Sequence, residues 1–283
     1  MSDLPEYVAE HFQHAVKQDL ATWLLHNPLP TLVEPKIDGI RVFLFKSGDK
    51  LVISSKHGAI YTPQSSPKVF ATVPEFLHAP HRMILDGEYV AKKARLFFFD
   101  VLQVDDRELR ALPLTERKKV LHEILNGTGL EVPCKLAKSA EEILALKDRY
   151  IKEGYEGIIA KNPDSAHGQA GSWLKMKKYD TLDVFIMDYE KTQEMQRTGV
   201  PRSWFVGVYD EHGRPVPLGK VGAFVEEVDP RQVKKDAVVE LRYQEVTEDM
   251  KLRGAFILRV RHDKLPGECL LSQLSEARRR SPP

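Results

Sequence analysis

Near the start of the chain, residues that can take part in chemistry follow one another at short intervals. Lys36, Asp38 and Arg41 lie together, with Gly39 between them. A lysine amine can act as a nucleophile, and lysine and arginine can both bind phosphate. The string also has an ordinary explanation, because Asp-Gly pairs favour tight turns and lysines are common on surfaces. Taken alone, it indicates a turn at the entry to a strand more strongly than a reactive site.

Further strings along the chain combine acids or bases with strand-like runs. In one of them, the alternation of a strand would place Lys175 and Lys177 on the same face. Each string alone is better explained as core, cap or solvated surface, but their order and separations weaken that explanation. The strings are Leu85 to Glu88, Leu96 to Asp100, Glu156 to Lys161, Trp173 to Lys178 and Arg259 to Lys264.

The composition is that of a globular protein without an extreme charge. The 283 residues include 42 Lys+Arg and 41 Asp+Glu, which gives a net charge of +1. A nucleic-acid partner therefore cannot be argued from total charge, and would require basic residues segregated onto one surface. Cys134 and Cys269 lie far apart without His or Cys at metal-ligand spacing. This disfavours a structural zinc site or a disulfide framework and fits a reducing compartment.

The N-terminal segment and the apolar runs indicate where in the cell the protein is expected. Residues 1–18 are polar, with Tyr7, Val8, Phe12 and Val16 spaced as in an amphipathic helix, so we predict a helix and not a signal peptide. The longest apolar run, Leu96 to Phe99, has the length of a strand and not of a membrane span. We therefore expect a soluble, intracellular, cytoplasmic protein, associated with the nucleoid if the source is prokaryotic.

The first part of the chain predicts strands and two helices. The runs 41–45 and 51–55 flank a turn at Ser47-Gly48-Asp49, which predicts a hairpin. The string Pro113-Leu114-Thr115-Glu116 is predicted to open a helix that continues to Leu125, with Thr115 as its N-cap and apolar residues at helical spacing. A second helix is predicted from Ser139 to Glu153, ending at Gly154.

After residue 180 the pattern changes to short strands separated by turns. Four of these runs are 204–209, 218–221, 238–243 and 256–260, and together they predict a small antiparallel barrel. The segment Glu190 to Arg202 is predicted to be a barrel loop, with contact to DNA as the alternative. The fold class we expect is α+β in two domains, residues 1–180 and 181–283. The basic tail, 277–283, is predicted to be a solvated end.

As a set, the strings resemble those of the covalent nucleotidyltransferase superfamily, which includes ATP-dependent DNA ligases, RNA ligases and mRNA capping enzymes. The resemblance extends from about residue 31 to 265. The strings at Glu156 and Trp173, and the stretch from Pro113 to Lys118, are most similar to those of DNA ligases. This resemblance implies a nucleotidyltransferase (adenylation) domain at 1–180 and a β-barrel OB-fold at 181–283. Because few residues precede Lys36, we expect the small form without a helical N-terminal DNA-binding domain.

One string departs from the ligase pattern. Many ligases have Ser-Arg-x-Gly after the first hairpin, whereas this chain has Ser55-Lys56-His57-Gly58. Lys56 keeps the positive charge but cannot form a planar, bidentate pair with phosphate. We expect a less rigid phosphate contact at this position.

The resemblance assigns the transferred AMP to Lys36, which would attack the α-phosphate of ATP. A free lysine carries a proton at neutral pH, so the neutral amine must be favoured by nearby cations, namely a metal ion together with Lys175 and Lys177. The remaining nucleotide contacts implied are Glu34 on the adenine amino group, Phe99 stacked on the base, Glu88 on the ribose, Arg41 on phosphate or sugar, and Lys161.

The resemblance also implies a divalent metal, Mg²⁺ or Mn²⁺, held by Glu156 with Glu88 or Asp38 as further ligands. Magnesium takes few protein carboxylates and keeps several waters, so a small ligand set suffices. A motif in the second domain would orient the departing pyrophosphate, which requires that domain to close over the ATP. That motif consists of Arg259, Arg261, Asp263 and Lys264.

The function expected from the resemblance is that of a monomeric, ATP-dependent DNA ligase acting on nicked double-stranded DNA. AMP would pass from ATP to Lys36, then to the 5′-phosphate, and the 3′-hydroxyl would displace it. An ATP-dependent RNA ligase and a GTP-using mRNA capping enzyme are the enzymatic alternatives, and Glu34 disfavours the second. A non-enzymatic OB-barrel protein that binds nucleic acid is a third. The sequence leaves open whether the pathway is replication, repair or end joining.

Overall fold

The structure of the protein is a computed structural model that describes residues 14–55, 58–70, 82–225 and 228–274. The chain divides into two compact units, Met1–Lys177 and Lys178–Pro283. No helix in these four ranges is long and apolar enough to cross a membrane. The helices are α1 (Leu20–Leu24), α2 (Pro67–Phe70), α3 (Leu114–Leu125), α4 (Ala140–Lys152) and α5 (Gln193–Thr198).

The strands belong to sheets that each lie within one unit. Those of the first unit are β1 (Thr31–Pro35), β2 (Ile40–Ser47), β3 (Lys50–Ser55), β4 (Ile60–Tyr61), β5 (Met83–Val90), β6 (Arg95–Val104), β7 (Arg107–Glu108), β8 (Lys135–Ala137), β9 (Gly157–Lys161) and β10 (Trp173–Lys177). Those of the second are β11 (Asp180–Tyr189), β12 (Trp204–Tyr209), β13 (Pro215–Val221), β14 (Val238–Tyr243), β15 (Glu245–Val246), β16 (Leu252–Arg253) and β17 (Phe256–Val260).

The first unit contains two antiparallel sheets. The larger has the order β4-β3-β2-β5-β6-β7, and the smaller has the order β10-β9-β1-β8. The predicted hairpin is present as β2 and β3, which pair from Val42↔Ser55 to Ser47↔Lys50. The mixed composition of helices and antiparallel sheets agrees with the α+β class that the sequence predicts.

One helix covers a face of each sheet in this unit. Helix α3 buries Leu121 and Leu125 in the same core as Leu44, Leu85 and Phe98 of the larger sheet. Burying each such side chain contributes roughly 1.5–3 kcal/mol. Helix α4 packs in the same way on the smaller sheet, through Ile143 and Tyr150. The two helices therefore fix the faces of the strands from which the site residues project.

The N-cap predicted for α4 is confirmed, and the N-cap predicted for α3 is wrong. Ser139 accepts a hydrogen bond from the backbone N–H of Glu142 at 3.2 Å and caps α4, as expected. In α3 the N-cap is Pro113, and Thr115 lies inside the helix. The Thr115 N–H donates to the carbonyl of Pro163 at 3.0 Å. Because a neighbouring loop accepts this bond, no side-chain cap is needed there.

The predicted N-terminal helix is wrong for residues 14–18, and Tyr7, Val8 and Phe12 lie outside the described residues. Val16 forms a parallel bridge with Leu174, its N–H donates to the Trp173 carbonyl at 2.7 Å, and its carbonyl accepts from Lys175 N–H at 3.0 Å. The edge of β10 offers a row of backbone groups, and pairing with it outweighs a helical spacing of apolar residues.

The second unit is built on a five-stranded antiparallel sheet with the order β13-β12-β11-β14-β17. Its core includes Trp204, Val184 and Ile257. The closed barrel that the sequence predicts is not found within the described residues, because β13 and β17 stay at the two edges. The chain that follows β13 reaches the opposite edge, where Phe224 makes a parallel bridge with Ile257.

Two further segments of this unit differ from expectation. Strand β11 is ten residues long and central to the sheet, although the sequence patterns emphasised the shorter runs after it. The segment 190–202, predicted to be a plain loop, contains α5, whose N-cap Thr192 accepts from the backbone N–H of Met195 at 3.2 Å.

Candidate active site

A cleft of about 270 Å³ opens in the first unit, with walls from both sheets. Its floor and sides combine charged, aromatic and aliphatic groups, as ligand-binding clefts do. The lining residues are His14, Ala15, Glu34, Pro35, Lys36, Ile37, Arg41, Glu88, Phe99, Val132, Ile159, Lys161, Trp173 and Lys175. Most of the nucleotide-binding residues expected from the sequence are therefore brought together.

Lys36 follows the last residue of β1 and is held against the neighbouring strand. Its backbone N–H donates to the carbonyl of Gly157 at 2.9 Å. Its ammonium contacts one oxygen of Glu156, whose other oxygen contacts Lys177. Burial acts to raise the pKa of Glu156, but hydrogen bonds from Lys177 and Lys36 outweigh it and the pKa is lowered. Glu156 thus remains an anion between two cations.

A close backbone approach places Glu156 next to these lysines. Gly157 has φ of +148° and pairs with Lys177 in the β9–β10 ladder. A Cβ there would lie 2.1 Å from the Met176 carbonyl oxygen and 2.7 Å from the Lys177 Cα. Only glycine fits this position, because any other side chain would collide with backbone atoms.

Glu34 lies deep in the cleft, with 2% of its surface exposed, and forms ion pairs with two buried lysines. Its carboxylate contacts the ammonium of Lys118 on α3, and its second oxygen lies 2.5 Å from Lys161 Nζ on β9. The Lys161 ammonium also lies over aromatic faces, 3.8 Å from the Trp173 ring centroid and 4.7 Å from that of Phe99. The expected adenine-binding residue is therefore part of a buried charge cluster.

Arg41 is fixed in the cleft by a buried partner. Its Nε donates to Asp86 Oδ1 at 2.9 Å, and a second guanidinium nitrogen contacts the other carboxylate oxygen. The guanidinium carbon is 5.2 Å from the centroid of Phe99 and 5.8 Å from that of Trp173. This arrangement orients the flat guanidinium beside the aromatic wall of the cleft.

Glu88 lines the cleft opposite Arg41 in the β2–β5 register. Burial raises the pKa of Glu88 to about 7, although the nearby charges of Lys36 and Arg41 act to lower it. The carboxylates of Asp86 and Glu156 reinforce the increase. Glu88 therefore exchanges its proton near neutral pH, and a cation beside it would favour the ionised form.

The three carboxylates expected to bind a metal are not equally placed. Glu88 lies in the cleft wall, and Glu156 contacts Lys36 at its edge. Asp38 is exposed and does not belong to the lining residues. Within the part of the chain that the structure describes, no group of three or more His, Cys, Asp or Glu is gathered as a ready metal site.

A buried network behind the cleft was not anticipated from the sequence. The Arg117 guanidinium donates twice to Asp100, at 2.8 and 3.0 Å, and His167 Nδ1 lies 3.3 Å from the same carboxylate. Burial acts to raise the pKa of Asp100, but hydrogen bonds from His167 and Arg117 lower it well below its usual range. The network anchors the middle of β6 and so holds the adjacent Phe99 in place.

The sequence analysis also missed Lys118, although the spacing of the residues around it indicates that it is buried. Leu114, Lys118, Leu121 and Leu125 follow the spacing of one helix face, and the three leucines are buried. A lysine on the apolar face of a helix requires a buried partner, which the helical pattern alone does not identify. Glu34 is that partner.

The basic string of the second unit lies at the end of β17. Arg259 donates to Glu240 at 2.6 Å, apart from the others. Arg261 donates to Asp263 at 2.8 and 2.7 Å and to Asp183 at 3.0 Å, and Lys264 Nζ is 2.5 Å from Asp183. Asp183, which pairs with two of these cations, belongs to none of the strings identified in the sequence.

Lys56, in the string that differs from the ligase pattern, lies outside the described residues.

Comparisons with known proteins identify relatives for this arrangement. The family described as ATP dependent DNA ligase domain matches residues 12–95 and 91–177, which is more than half of the chain. A DNA ligase of Thermococcus fumicolans is 31% identical over 304 aligned residues, which cover 86% of this chain and 54% of that protein. The non-homologous end joining protein LigD of Mycolicibacterium smegmatis is 28% identical, over 83% of this chain and 36% of that protein. The chain spans about half the length of the curated ligases it matches, or less.

Solved structures show the same fold. The ligase domain of Mycobacterium tuberculosis LigD superposes with a TM-score of 0.53 at 23% identity, covering 92% of this chain and 97% of that one. A Lig E DNA ligase gives a TM-score of 0.61 at 18% identity, covering 90% of this chain and all of that one (100%). Because the family match covers more than half of the chain, including Lys36, Glu88, Glu156 and Lys177, the chain belongs to the ATP-dependent DNA ligase family.

Proposed function

We propose that this protein is an ATP-dependent DNA ligase that carries AMP on Lys36 and seals nicks in double-stranded DNA. The supporting observation is the position of the Lys36 ammonium, which contacts Glu156 at a cleft that also contains Glu34 and Phe99. A lysine that contacts a carboxylate at the edge of a cleft lined by charged and aromatic groups suits covalent nucleotide transfer.

In the first transfer, the Lys36 ammonium loses a proton to solvent and the neutral amine attacks the α-phosphorus of ATP. A nitrogen–phosphorus bond forms as the bond to the pyrophosphate oxygen breaks, and pyrophosphate leaves. A 5′-phosphate oxygen of the nick then attacks the phosphorus of AMP, the nitrogen–phosphorus bond to Lys36 breaks as the new oxygen–phosphorus bond forms, and the Lys36 amine regains a proton from solvent. Finally the 3′-hydroxyl attacks that 5′-phosphate, AMP departs, and the hydroxyl proton passes to solvent. Lys175 and Lys177 would stabilise the charge on the α-phosphate oxygens during these steps.

The cleft residues account for nucleotide binding. We assign Glu34 to the adenine amino group and Phe99 to stacking on the base, which contributes roughly 1–3 kcal/mol. Glu88 would accept from a ribose hydroxyl, Arg41 would contact phosphate or sugar, and Lys161 would contribute positive charge near the base. All five line the cleft.

A divalent ion, Mg²⁺ or Mn²⁺, fits the donor chemistry of this site. Glu88 and Glu156 are oxygen donors whose charges repel each other, as the raised pKa of Glu88 reflects alongside its burial. Such a pair suits an ion that takes one or two carboxylates and completes its shell with water and phosphate. Asp38, being exposed, would contribute through water. When bound, the ion would neutralise phosphate charge.

We assign residues 1–180 to a nucleotidyltransferase domain and 181–283 to an OB-fold, and we expect a monomer. The division into two compact units supports the boundary, and the five-stranded antiparallel sheet of the second unit supports the OB-fold assignment. Arg259, Arg261, Asp263 and Lys264 would orient the pyrophosphate in the first transfer.

The experiment that tests this function is covalent labelling. The protein is incubated with labelled ATP and Mg²⁺ and denatured, and retained label is measured for the wild type, Lys36→Ala and Lys119→Ala. Lys119 is a suitable control because its side chain is 68% exposed. We expect label on the wild type and on Lys119→Ala. Absence of label, or label that survives Lys36→Ala, contradicts the proposal.

The nucleic-acid substrate is tested with the labelled protein. Nicked DNA, nicked RNA duplexes and single strands are supplied, and sealed product is measured. We expect sealing of nicked DNA. Sealing of RNA ends alone would assign the protein to RNA ligases, and labelling by GTP in preference to ATP would favour a capping enzyme.

A further inference from the structure

The charge cluster around Glu34 contains a residue with no role in the proposed chemistry. Lys118 belongs to α3 and is 9% exposed, and it does not line the cleft as Glu34 and Lys161 do. It contacts the Glu34 carboxylate from behind, so a nucleotide in the cleft would meet Glu34 and not Lys118. Within the described residues, Glu34 Oε1 makes ion-pair contact but no well-directed hydrogen bond.

Burying the charged Glu34 carboxylate costs free energy unless partners of opposite charge compensate for the lost hydration. A carboxylate at 2% exposure loses most of its hydration, and charged groups in such places require partners. The two lysines differ as partners. Burial acts to lower the pKa of Lys118, but Glu34 outweighs it and the pKa is raised. Burial lowers the pKa of Lys161 despite Glu34, and the nearby Lys118 lowers it further. The ammonium form is therefore favoured more strongly at Lys118 than at Lys161.

The charge and position of Glu34 matter for the choice of base. Adenine presents an amino donor at the position where guanine presents a carbonyl acceptor. An ionised carboxylate only accepts hydrogen bonds, so it pairs with the amino group and repels the carbonyl. A carboxylate that turned away from the base would lose this discrimination.

We propose that Lys118 is a positioning residue that sets nucleotide specificity, by holding the buried Glu34 carboxylate in place and facing the base. This inference rests on the proposed function, because it takes Glu34 as the group that contacts the adenine ring. Lys118 acts only through Glu34 and takes no part in the transfer of AMP.

The test measures binding apart from chemistry. In a Lys36→Ala background, dissociation constants for ATP and GTP are measured by calorimetry for three further variants: Lys118→Met, Lys118→Arg and Lys119→Met. The ratio of the two constants is compared, together with the thermal unfolding midpoint. In the protein with Lys36 intact, the KM and maximal rate of labelling by ATP are measured for the same variants.

We expect Lys118→Met to reduce the preference for ATP over GTP by about tenfold or more. The KM for ATP should rise while the maximal labelling rate changes little, because the reacting groups are untouched. Lys118→Arg, which keeps the charge, should restore most of the preference, and Lys119→Met should behave as the wild type. A folded Lys118→Met protein with an unchanged ratio, or with equal losses for both nucleotides, overturns the proposal.

A double-mutant cycle separates this role from a general packing role. In a Glu34→Gln background, Lys118→Met should cause no further change in the ratio, because the carboxylate that Lys118 holds has gone. A further change of similar size would overturn the proposal. If Lys118→Met does not fold, Lys118→Gln takes its place in every measurement. Failure of the wild type to label on Lys36 would instead contradict the proposed function.

Discussion

At the scale of single residues, the site depends on how charges are paired. Glu156 lies between the ammonium groups of Lys36 and Lys177, with about a quarter of its side chain exposed (26%). Removing the anion would leave two close cations without compensation, and would remove an oxygen donor from the metal site proposed above. The consequences should appear in the first transfer of AMP.

We predict that Glu156→Gln lowers the single-turnover rate of labelling by ATP about 100-fold or more. The glutamine amide has nearly the same shape but cannot balance the charges of the two lysines. Glu153→Gln is the matched control, because Glu153 is exposed at the end of α4 and pairs with Arg149. A labelling rate for Glu156→Gln within twofold of the wild type would contradict the prediction.

Glu88 provides a prediction about pH. Burial raises its pKa from 4.5 to about 7, so the folded protein binds this proton more tightly than the unfolded chain. Stabilisation from the protonated form is fully present below about pH 4.5 and is lost as the pH rises to about 7. In metal-free buffer, the free energy of unfolding of the wild type relative to Glu88→Gln should therefore decrease across this window.

The measurement is urea unfolding at a series of pH values for the wild type, Glu88→Gln and Glu123→Gln. Glu123 is exposed on α3, and its replacement should leave the pH dependence unchanged. A difference between the wild type and Glu88→Gln that stays flat from pH 4.5 to 7 would show that Glu88 does not titrate there.

At the scale of elements, one glycine controls the spacing of two strands. Gly157 begins β9, and its missing side chain lets β10 approach closely enough for Glu156 and Lys177 to meet. Strand pairing and charge pairing are thus coupled, because a change in the ladder moves both charged groups.

We predict that Gly157→Ala lowers the free energy of unfolding by about 1–3 kcal/mol and the labelling rate about 100-fold. The new Cβ would meet backbone atoms, and β9 and β10 would have to separate. Gly168→Ala is the control, since Gly168 has φ of +85° but no atom near the added Cβ within 4 Å. Stability and single-turnover labelling are measured for both. Equal effects at the two glycines would show that backbone strain, and not the close approach, is responsible.

Most helices and strands could be predicted from the sequence, but the backbone partners that they find in distant parts of the chain could not. The hairpin of β2 and β3 and the cap of α4 at Ser139 follow from local turn and capping preferences. The supposed cap at Thr115 and the helix over residues 14–18 were wrong, because Pro163 and the edge of β10 supply backbone partners from distant parts of the chain. Local propensities do not include such partners.

At the scale of the whole molecule, the two units carry different parts of the proposed chemistry. The cleft and Lys36 belong to the first unit, and the string from Arg259 to Lys264 belongs to the second. In the second unit Asp183 gathers Arg261 and Lys264. If this group orients pyrophosphate, it matters only for the transfer in which pyrophosphate leaves.

We predict that Arg261→Ala slows labelling by ATP about 100-fold but leaves the sealing of a pre-adenylated nick nearly unchanged. The first reaction releases pyrophosphate, whereas the second starts after that step. Arg253→Ala is the control, because Arg253 is an exposed arginine of the same unit paired with Glu245. Both rates are measured for each variant at matched fractions of folded protein. Equal slowing of the two reactions would assign Arg261 to folding or DNA binding instead.

The sequence by itself determined the types and order of the site residues, because the chemistry of nucleotide transfer requires a lysine, carboxylates and further cations at set places along the strands. Only the tertiary structure decided how their charges are balanced. Lys118 and Asp183 lie far from their partners in the chain, and Asp100 meets Arg117 and His167 only after the strands and α3 have packed. Burial makes such pairing obligatory, but which groups pair depends on contacts between distant segments that no local pattern records.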